Sequence, residues 1–490
     1  MIDINNMTLE EKVGQLFMVG VQDEQHMRIL IEKYNVGGII YFTRNVENAY
    51  EAYQLSSLVK RKSKIPAFIS IDQEGGTVTR IKKGIAPVPG QMAVAATERP
   101  EYAKQVSEIL SSEMSLLGIN MNLGPVVDIN NNPHNPVINV RSYGDNSEDV
   151  SVFSLNALEG YKTQDMIAVA KHFPGHGDTD LDSHTSLPVV THDMSRLNDI
   201  ELKPFKLLVD NGLDAVMVSH VLFSKISTDN KPATLSREIV HDLLRVDLEF
   251  DGLIMTDCME MHAVSKHFGI EESVIMSLEA GVDILLISHT LETQISSINA
   301  VTQAVKDGRL DEEMIDKAVD RILKYKSRYN IEKKLEPWEL IKNDLETEDH
   351  YALAKKISMK SMTLIGDEIA FDPNPLYVFP KTAITEVLLK PQNTFLYNTL
   401  DDFEVSQIIQ AAKGYKQVVF GSRGLKQLTS QNEIIRKLNC VVVLLESPYD
   451  FSELECKSCL CTYEMTQLAL ESLLTIVKGS AITGKLPISV

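Results

Sequence analysis

Eight short runs of consecutive apolar residues, most of them closing on a polar side chain, constrain this chain more than any other feature. They predict strands at Gln15–Val19, Gly37–Tyr41, Ala67–Asp72, Ile119–Leu123, Ile167–Lys171, Ala215–Ser219, Leu253–Asp257 and Asp283–Ile287. Unbroken apolar runs, unlike strict alternation, mean burial on both faces, which is the pattern of parallel strands covered by helices. Helical patterns fall between them at Asn48–Arg61, Pro100–Leu117, Val150–Thr163, Asp199–Asp210, Arg237–Val246, Glu272–Ala280 and Thr293–Asp307. Eight strands alternating with helices over roughly 290 residues fit a (β/α)8 barrel. An open doubly wound sheet ranks second, because the Gly-rich phosphate turn after its first strand is missing.

Past Arg328 the pattern changes. Ser327–Asp349 is dense in charge and poor in strand-forming runs, and reads as a connection. Strand–helix alternation then resumes, with strands expected at Met362–Ile365, Leu376–Phe379, Glu386–Leu389, Gln417–Phe420, Val441–Leu445 and Cys459–Cys461. The expected architecture is α/β throughout: a catalytic barrel over residues 1–330, a linker over 331–350, and a smaller α/β sandwich over 351–490.

Composition removes several classes of function. With 48 Lys+Arg against 68 Asp+Glu the chain carries a net charge of −20, and no basic cluster is long enough to track a phosphate backbone, so nucleic acid is not an expected partner. No run approaches 18 apolar residues, which argues against a membrane span. The opening MIDINNMTLEEKVGQLFMVG lacks a basic region followed by a long apolar one, and five cysteines make no disulfide framework. A cytoplasmic setting is therefore the expectation.

In a barrel of this kind, chemistry belongs where strands end and loops begin. Here those ends carry Asp72, Lys171-His172, Ser219-His220, Asp257 and Ser288-His289, with Asp128 in the loop after the fourth strand. The densest stretch, VAKHFPGHGDTDLDSHTSLP, opens on the fifth strand. His172 and His176 stand four apart, as in a helical zinc pair, but Pro174, Gly175 and Gly177 make a helix there unfavourable. The better reading is a catalytic loop hinged at Gly175 and Gly177. Within it Asp182-Ser183-His184 sets a carboxylate two residues from an imidazole, which suits His184 to act as general acid and then base.

Asp257 closes the seventh run, with Met259 and Glu260 opening the next helix. An isolated Asp at that place reads as a helix N-cap. Opposite a loop carrying a proton donor it reads instead as a nucleophile, the pairing that retaining glycosidases use. In IDQEGGTVTR, Asp72 suits sugar hydroxyls, whereas a phosphate cradle is disfavoured by the charges of Asp72 and Glu74. Arg141, in NPVINVRSYG, is either a substrate clamp or the partner of a structural ion pair. Cys456, Cys459 and Cys461 lack a fourth ligand nearby and read as buried thiols. No cofactor and no metal are expected.

The stretches MTLEEKVGQLFMVG, IDQEGGTVTR, NLGPVVDIN, VINVRSYG, KHFPGHGDT, DSH and MTDCMEM together resemble glycoside hydrolase family 3, in its β-N-acetylglucosaminidase branch. The resemblance runs through most of the first 330 residues, and more loosely into the C-terminal segment with its GKLPISV ending. Thr77 stands where the family has Arg. By this resemblance Asp257 is the nucleophile, His184 the acid/base and Asp182 its dyad partner, while Asp72, Arg80, Arg141, Lys171 and His172 bind the terminal N-acetylglucosamine. It implies a retaining exo-β-N-acetylglucosaminidase acting on muropeptide or chitin-type oligosaccharides. A phosphorylase on the same site is an alternative, because an imidazole base does not repel phosphate. A catalytically idle sugar-binding protein is another, though binding alone requires neither Asp257 nor the Asp182–His184 pair.

Overall fold

The structure is a computed structural model that describes residues 3–182, 186–384 and 391–489. The eight apolar runs form strands Phe17–Gly20 (β1), Gly38–Tyr41 (β2), Phe68–Ile71 (β3), Met121–Asn122 (β4), Ile167–Phe173 (β5), Ala215–Val218 (β6), Leu253–Cys258 (β7) and Ile284–Ile287 (β8). Each is parallel to its chain neighbour, and β8 returns to β1 with Leu285 opposite Phe17. The sheet is closed, so the open doubly wound alternative falls away. Nearly every strand residue is buried, because side chains pointing inward fill the barrel while those pointing outward meet the helical ring.

The helices begin where the sequence supplies caps for their unpaired N–H groups. Asn48 accepts from the Glu51 amide at the start of Ala49–Lys62, and Asn146 accepts from the amides of Glu148 and Asp149 at the start of Ser147–Lys162. After β7 the next helix is His262–Phe268, with Met261 at its cap position and no side-chain cap bond. Glu260 therefore lies in a turn ahead of the helix, and Asp257 is not an N-cap. Its Oδ1 accepts from the adjacent Cys258 amide at 2.6 Å instead.

The charged connection packs against the barrel. Lys60 donates to the carbonyls of Ile331 and Lys333 at 2.8 and 3.1 Å, and Trp338 meets the rings of Tyr50 and Tyr53. Beyond it six strands form one sheet: Thr363–Gly366 (β9), Leu376–Pro380 (β10), Thr394–Tyr397 (β11), Val418–Ser422 (β12), Cys440–Leu444 (β13) and Ser458–Cys461 (β14). Their order is β9-β14-β13-β12-β10-β11, all parallel except the β9–β14 pair. The strand expected at Glu386–Leu389 lies outside the described residues. The sequence reading missed β11, whose short TFLY run is only half-buried at the sheet edge. Helices Glu348–Ser361 and Gln467–Val477 cover one face of this sheet, and Asp402–Ala412 with Leu428–Lys437 cover the other.

The sandwich leans on the loops that follow β3 and β4. Met92, Ala93 and Ala96 share an apolar cluster with Val442, Leu444, Tyr449 and Tyr463. The Glu464 carboxylate accepts from the Gly90 amide at 2.7 Å, and the Tyr449 hydroxyl accepts from Asn130 Nδ2 at 2.9 Å. The second domain thereby buttresses one side of the barrel's C-terminal rim. Among the described residues no helix is long and apolar enough to cross a membrane.

Candidate active site

Five charged groups join at the ends of β3 and β5. Asp72 follows the last residue of β3, and Glu74 lies two residues further on. Gln73, between them, is buried and turned the other way, where its Oε1 accepts from the amides of Arg80 and Ile81 and holds the intervening turn. Gly76 in that turn is at positive φ, and a Cβ there would meet Glu464 Oε2 at 2.6 Å. Lys171, on β5, points between the two carboxylates, 2.8 Å from Asp72 Oδ1 and 2.6 Å from Glu74 Oε1. Arg80 Nη2 is 3.2 Å from Asp72 Oδ2, and Arg141 grips Glu74 with Nε and Nη2 at 3.0 and 2.9 Å. Three cations thus surround two anions.

Burial opposes ionisation of both carboxyls, yet their partners prevail. Lys171 and Arg80 hold Asp72 well below the usual carboxylate range, and Arg141 with Lys171 holds Glu74 down at about 2. Burial acts against the Arg141 cation too, and Glu74 more than offsets it, raising the guanidinium above its ordinary value. Arg141 is thus paired with Glu74, and its Nη1 donates to the Val137 carbonyl at 3.1 Å. The repulsion expected to exclude anions from this turn is also cancelled, because both carboxylates are matched. Arg80 Nε is buried with no hydrogen-bond partner among the described residues.

A second hub is Asp128, completely buried in the loop after β4. One carboxylate accepts the His172 amide, His172 Nδ1 at 2.7 Å, and the His176 amide at 2.7 Å. It therefore fixes the His172 ring and the first turn of the β5 loop together. His172 and His176 do not form a helical metal pair: β5 runs through Phe173, and His176 Nδ1 is engaged by Thr179 Oγ1 at 3.0 Å. Burial, reinforced by the neighbouring His172, pushes the His176 imidazole down to about 4, against the opposing pull of Asp128 and a smaller one from Asp257.

Gly175 and Gly177, the expected hinge, are closely packed in this conformation. Both residues are buried, and a Cβ on Gly177 would lie 1.7 Å from the Ile129 carbonyl oxygen. Asn135 Nδ2 donates to the carbonyls of His176 and Gly177 at 2.8 and 2.9 Å. These glycines permit close contact with neighbouring loops. Burial ends at Thr179. Asp180 and Leu181 are exposed, and the Asp182 carbonyl accepts from the Ser186 amide at 3.1 Å. His184 lies outside the described residues.

Asp257, half-buried at the end of β7, shares the rim with this network. His220, buried at the end of β6, bonds Thr234 Oγ1 at 2.6 Å and the Cys258 carbonyl at 3.0 Å, steadying the β7 terminus. The structure therefore gathers Asp72, Arg80, Arg141 and Lys171 into one ion-pair array, holds His172 on the adjoining Asp128 hub, and puts Asp257 on the same rim. Sequence reasoning passed over Glu74 and Asp128 as members of these networks. The spacing of Glu74 held a usable signal, since residues two apart on extended chain face the same way. Cys459 and Cys461 are fully buried free thiols and Cys456 is half-buried.

A closed parallel barrel with charged strand ends is an enzyme scaffold of many chemistries, and sequence comparison shows which family this one belongs to. The Glycosyl hydrolase family 3 N terminal domain matches residues 8–325. The chain is 34% identical over 325 residues to β-hexosaminidase A of Pseudoalteromonas piscicida, a match covering 61% of this chain and 54% of that protein. It is 31% identical to β-hexosaminidase LpqI of Mycobacterium tuberculosis over 64% of this chain and 81% of the relative. A solved family 3 β-N-acetylglucosaminidase from Paenibacillus sp. superposes with a TM-score of 0.93 at 36% identity, over 99% of both chains. The chain belongs to glycoside hydrolase family 3, in its β-N-acetylhexosaminidase branch.

Proposed function

We propose that this protein is a retaining exo-β-N-acetylglucosaminidase that releases N-acetylglucosamine from the non-reducing end of short oligosaccharides. Asp257 attacks C1 of the terminal sugar while His184, as imidazolium held by Asp182, gives its proton to the departing glycosidic oxygen. Water then adds to C1, passes a proton to neutral His184, and frees Asp257 with the β configuration kept. Asp72, Arg80, Lys171, Arg141 and His172 receive the hydroxyls of the sugar. The observation that carries this reading is the pairing of Asp72 with Lys171 and Arg80. A carboxylate kept ionised in a buried place, beside an unpartnered guanidinium N–H, can accept and donate toward vicinal hydroxyls at once. Muropeptides and chitin oligomers both present the required terminal sugar, and wall fragments are the substrate we favour.

The test is 4-nitrophenyl N-acetyl-β-glucosaminide turnover, followed by trapping with a fluorosugar and mapping of the adduct by mass spectrometry. An ester on Asp257 and a β-configured product are expected. An adduct elsewhere or an inverted product overturns the reading. His184→Ala should slow substrates with poor leaving groups about 10²- to 10⁴-fold and activated aryl glycosides far less. Equal losses on both substrate types remove His184 as the acid. Repeating turnover in phosphate buffer separates hydrolysis from phosphorolysis, since only the latter yields a sugar 1-phosphate.

A further inference from the structure

Immediately beyond Asp257 three unlike donors converge. Cys258 Sγ, the Glu260 carboxylate and the His289 imidazole lie with one ligand atom each within 4.8 Å of one another. Cys258 is the last residue of β7, Glu260 lies in the turn after it, and His289 comes from the turn after β8. The carboxylate ties these turns together. Its Oε2 accepts from the His289 amide at 2.6 Å and lies 4.0 Å from Cys258 Sγ, while its Oε1 accepts from the Thr290 amide at 3.0 Å. Glu260 is thus fastened to the backbone of the very residue that supplies the imidazole, an outer bond of the kind that orients metal ligands.

We infer that Cys258, Glu260 and His289 form a site for one thiophilic divalent cation of the zinc class, whose occupancy slows the chemistry at Asp257. Thiolate, imidazole and carboxylate together select zinc-like ions over magnesium or calcium, which take oxygen alone. Three protein ligands leave a fourth position open. Tetrahedral coordination at 2.0–2.3 Å sets donors roughly 3.3–3.7 Å apart, so small side-chain rotations close the present spacing. On binding, the Cys258 thiol gives its proton to solvent, and thiolate and carboxylate together neutralise the dication.

Two features oppose this: burial pushes the Cys258 thiol up to about 12, and a guanidinium stands beside the imidazole. Arg44 Nη1 is 3.3 Å from His289 Nδ1, and the guanidinium is held there by the carbonyls of Val21 and Ser288 and by the face of Phe42. Its charge is answered chiefly by Glu260, so the carboxylate serves both the guanidinium and the ion. His289 is exposed and Glu260 half-exposed, so an ion reaches the cluster directly from solvent. Once seated, a dication one residue from Asp257 draws on its carboxylate and competes for its oxygens. This inhibitory half rests on the role proposed above for Asp257, whereas the binding half does not.

The test uses the full chain stripped with EDTA and titrated with Co²⁺ as a coloured substitute for Zn²⁺. One equivalent should bind with a thiolate-to-metal band in the near ultraviolet and intense tetrahedral bands in the visible. Cys258→Ser should lose the near-ultraviolet band, and Glu260→Gln and His289→Asn should each weaken uptake at least about tenfold. With the aryl glycoside, Zn²⁺ should slow the wild type at least about tenfold, EDTA should restore it, and Cys258→Ser should keep its rate in Zn²⁺. Failure of the wild type to take up one equivalent, or uptake unchanged in both Cys258→Ser and His289→Asn, overturns the site. Uptake without slowing overturns the inhibitory half. A metal-free enzyme inactive on the glycoside instead refutes the glycosidase reading, and the cobalt spectrum still decides the site.

Discussion

The two flanks of the rim are built differently. Around β3 to β5 every charge has found its partner: Asp72 and Glu74 share Lys171, Arg80 and Arg141 close the ends, and Asp128 fixes His172. Most of these side chains are buried and most stand on strand ends, so the array keeps its shape with no sugar present. Toward β7 the described contacts run to backbone: Asp257 Oδ1 accepts from the Cys258 amide, and His220 meets the Cys258 carbonyl. Asp257 stands on a rigid strand end, while Asp182 lies past the point where burial of the β5 loop ceases. On the function proposed above, the contrast separates two tasks. Hydroxyl recognition gains from donors and acceptors already ordered, since no reorganisation is left for the bound state. Proton transfer needs a group that can serve a departing oxygen and then a water.

The sharpest way to break this comparison is Asp257→Asn. If the β7 flank performs the chemistry, turnover of the aryl glycoside should fall about 10⁴-fold or more. Substrate affinity, measured by calorimetry with N-acetylglucosamine, should stay near that of the wild type, because the β3–β5 array is untouched. Loss of sugar binding together with turnover would merge the two flanks into one.

Most of the barrel was open to sequence reasoning because its strands are buried on both faces, and unbroken apolar runs such as IAVAK and DILLI signal that directly. The eight strand ends then located the rim. The signal failed where burial was partial, as at Thr394–Tyr397. It failed also where one residue type serves two physical ends. Gly175 and Gly177 suggest freedom, and only the Ile129 carbonyl lying against Gly177 shows that their lack of a side chain is used for contact. The family resemblance named Asp72, Arg80, Arg141, Lys171 and His172, but nothing in the chain gave the pairing among them. Asp72 and Lys171 are 99 positions apart and are joined only because β3 and β5 flank β4.

Lys171→Met probes the paired flank. It leaves Asp72 and Glu74 buried with one cation each, and breaking a buried ion pair from one side costs about 3–5 kcal/mol. The midpoint of urea unfolding should drop accordingly, and KM should rise. A stable variant with an unchanged KM would mean that Lys171 neither supports the array nor touches substrate.

Gly177→Ala asks whether the first half of the β5 loop is clamped or hinged. A methyl 1.7 Å from the Ile129 carbonyl forces the β4 and β5 loops apart, at a cost of about 1–3 kcal/mol for overpacking. Gly177 is not at positive φ, so its cost is the contact alone; Gly308, at positive φ with open space around its Cβ, shows the cost of backbone strain alone. A hinge would make Gly177→Ala slow the enzyme while leaving its stability close to that of Gly308→Ala. A clamp makes it the less stable of the two.

The smallest effect expected is a pH dependence that belongs to the clamped half. His176 is held at about 4 by burial and by the nearby His172, against about 6.5 in an unfolded chain. Between those values the unfolded state binds the proton that the folded state refuses, so stability must fall as the pH drops through this window. From pH 7 to pH 5 the loss assigned to this one group is about 2 kcal/mol, and it levels off below pH 4. Urea unfolding of the wild type and of His176→Asn at the two pH values isolates the contribution, because other titrating groups cancel in the difference. The variant should lose less stability on acidification by about that amount. An equal loss in both proteins would mean that His176 accepts its proton in place, and that the loop around it opens more readily than its buried contacts with Asp128 and Asn135 imply.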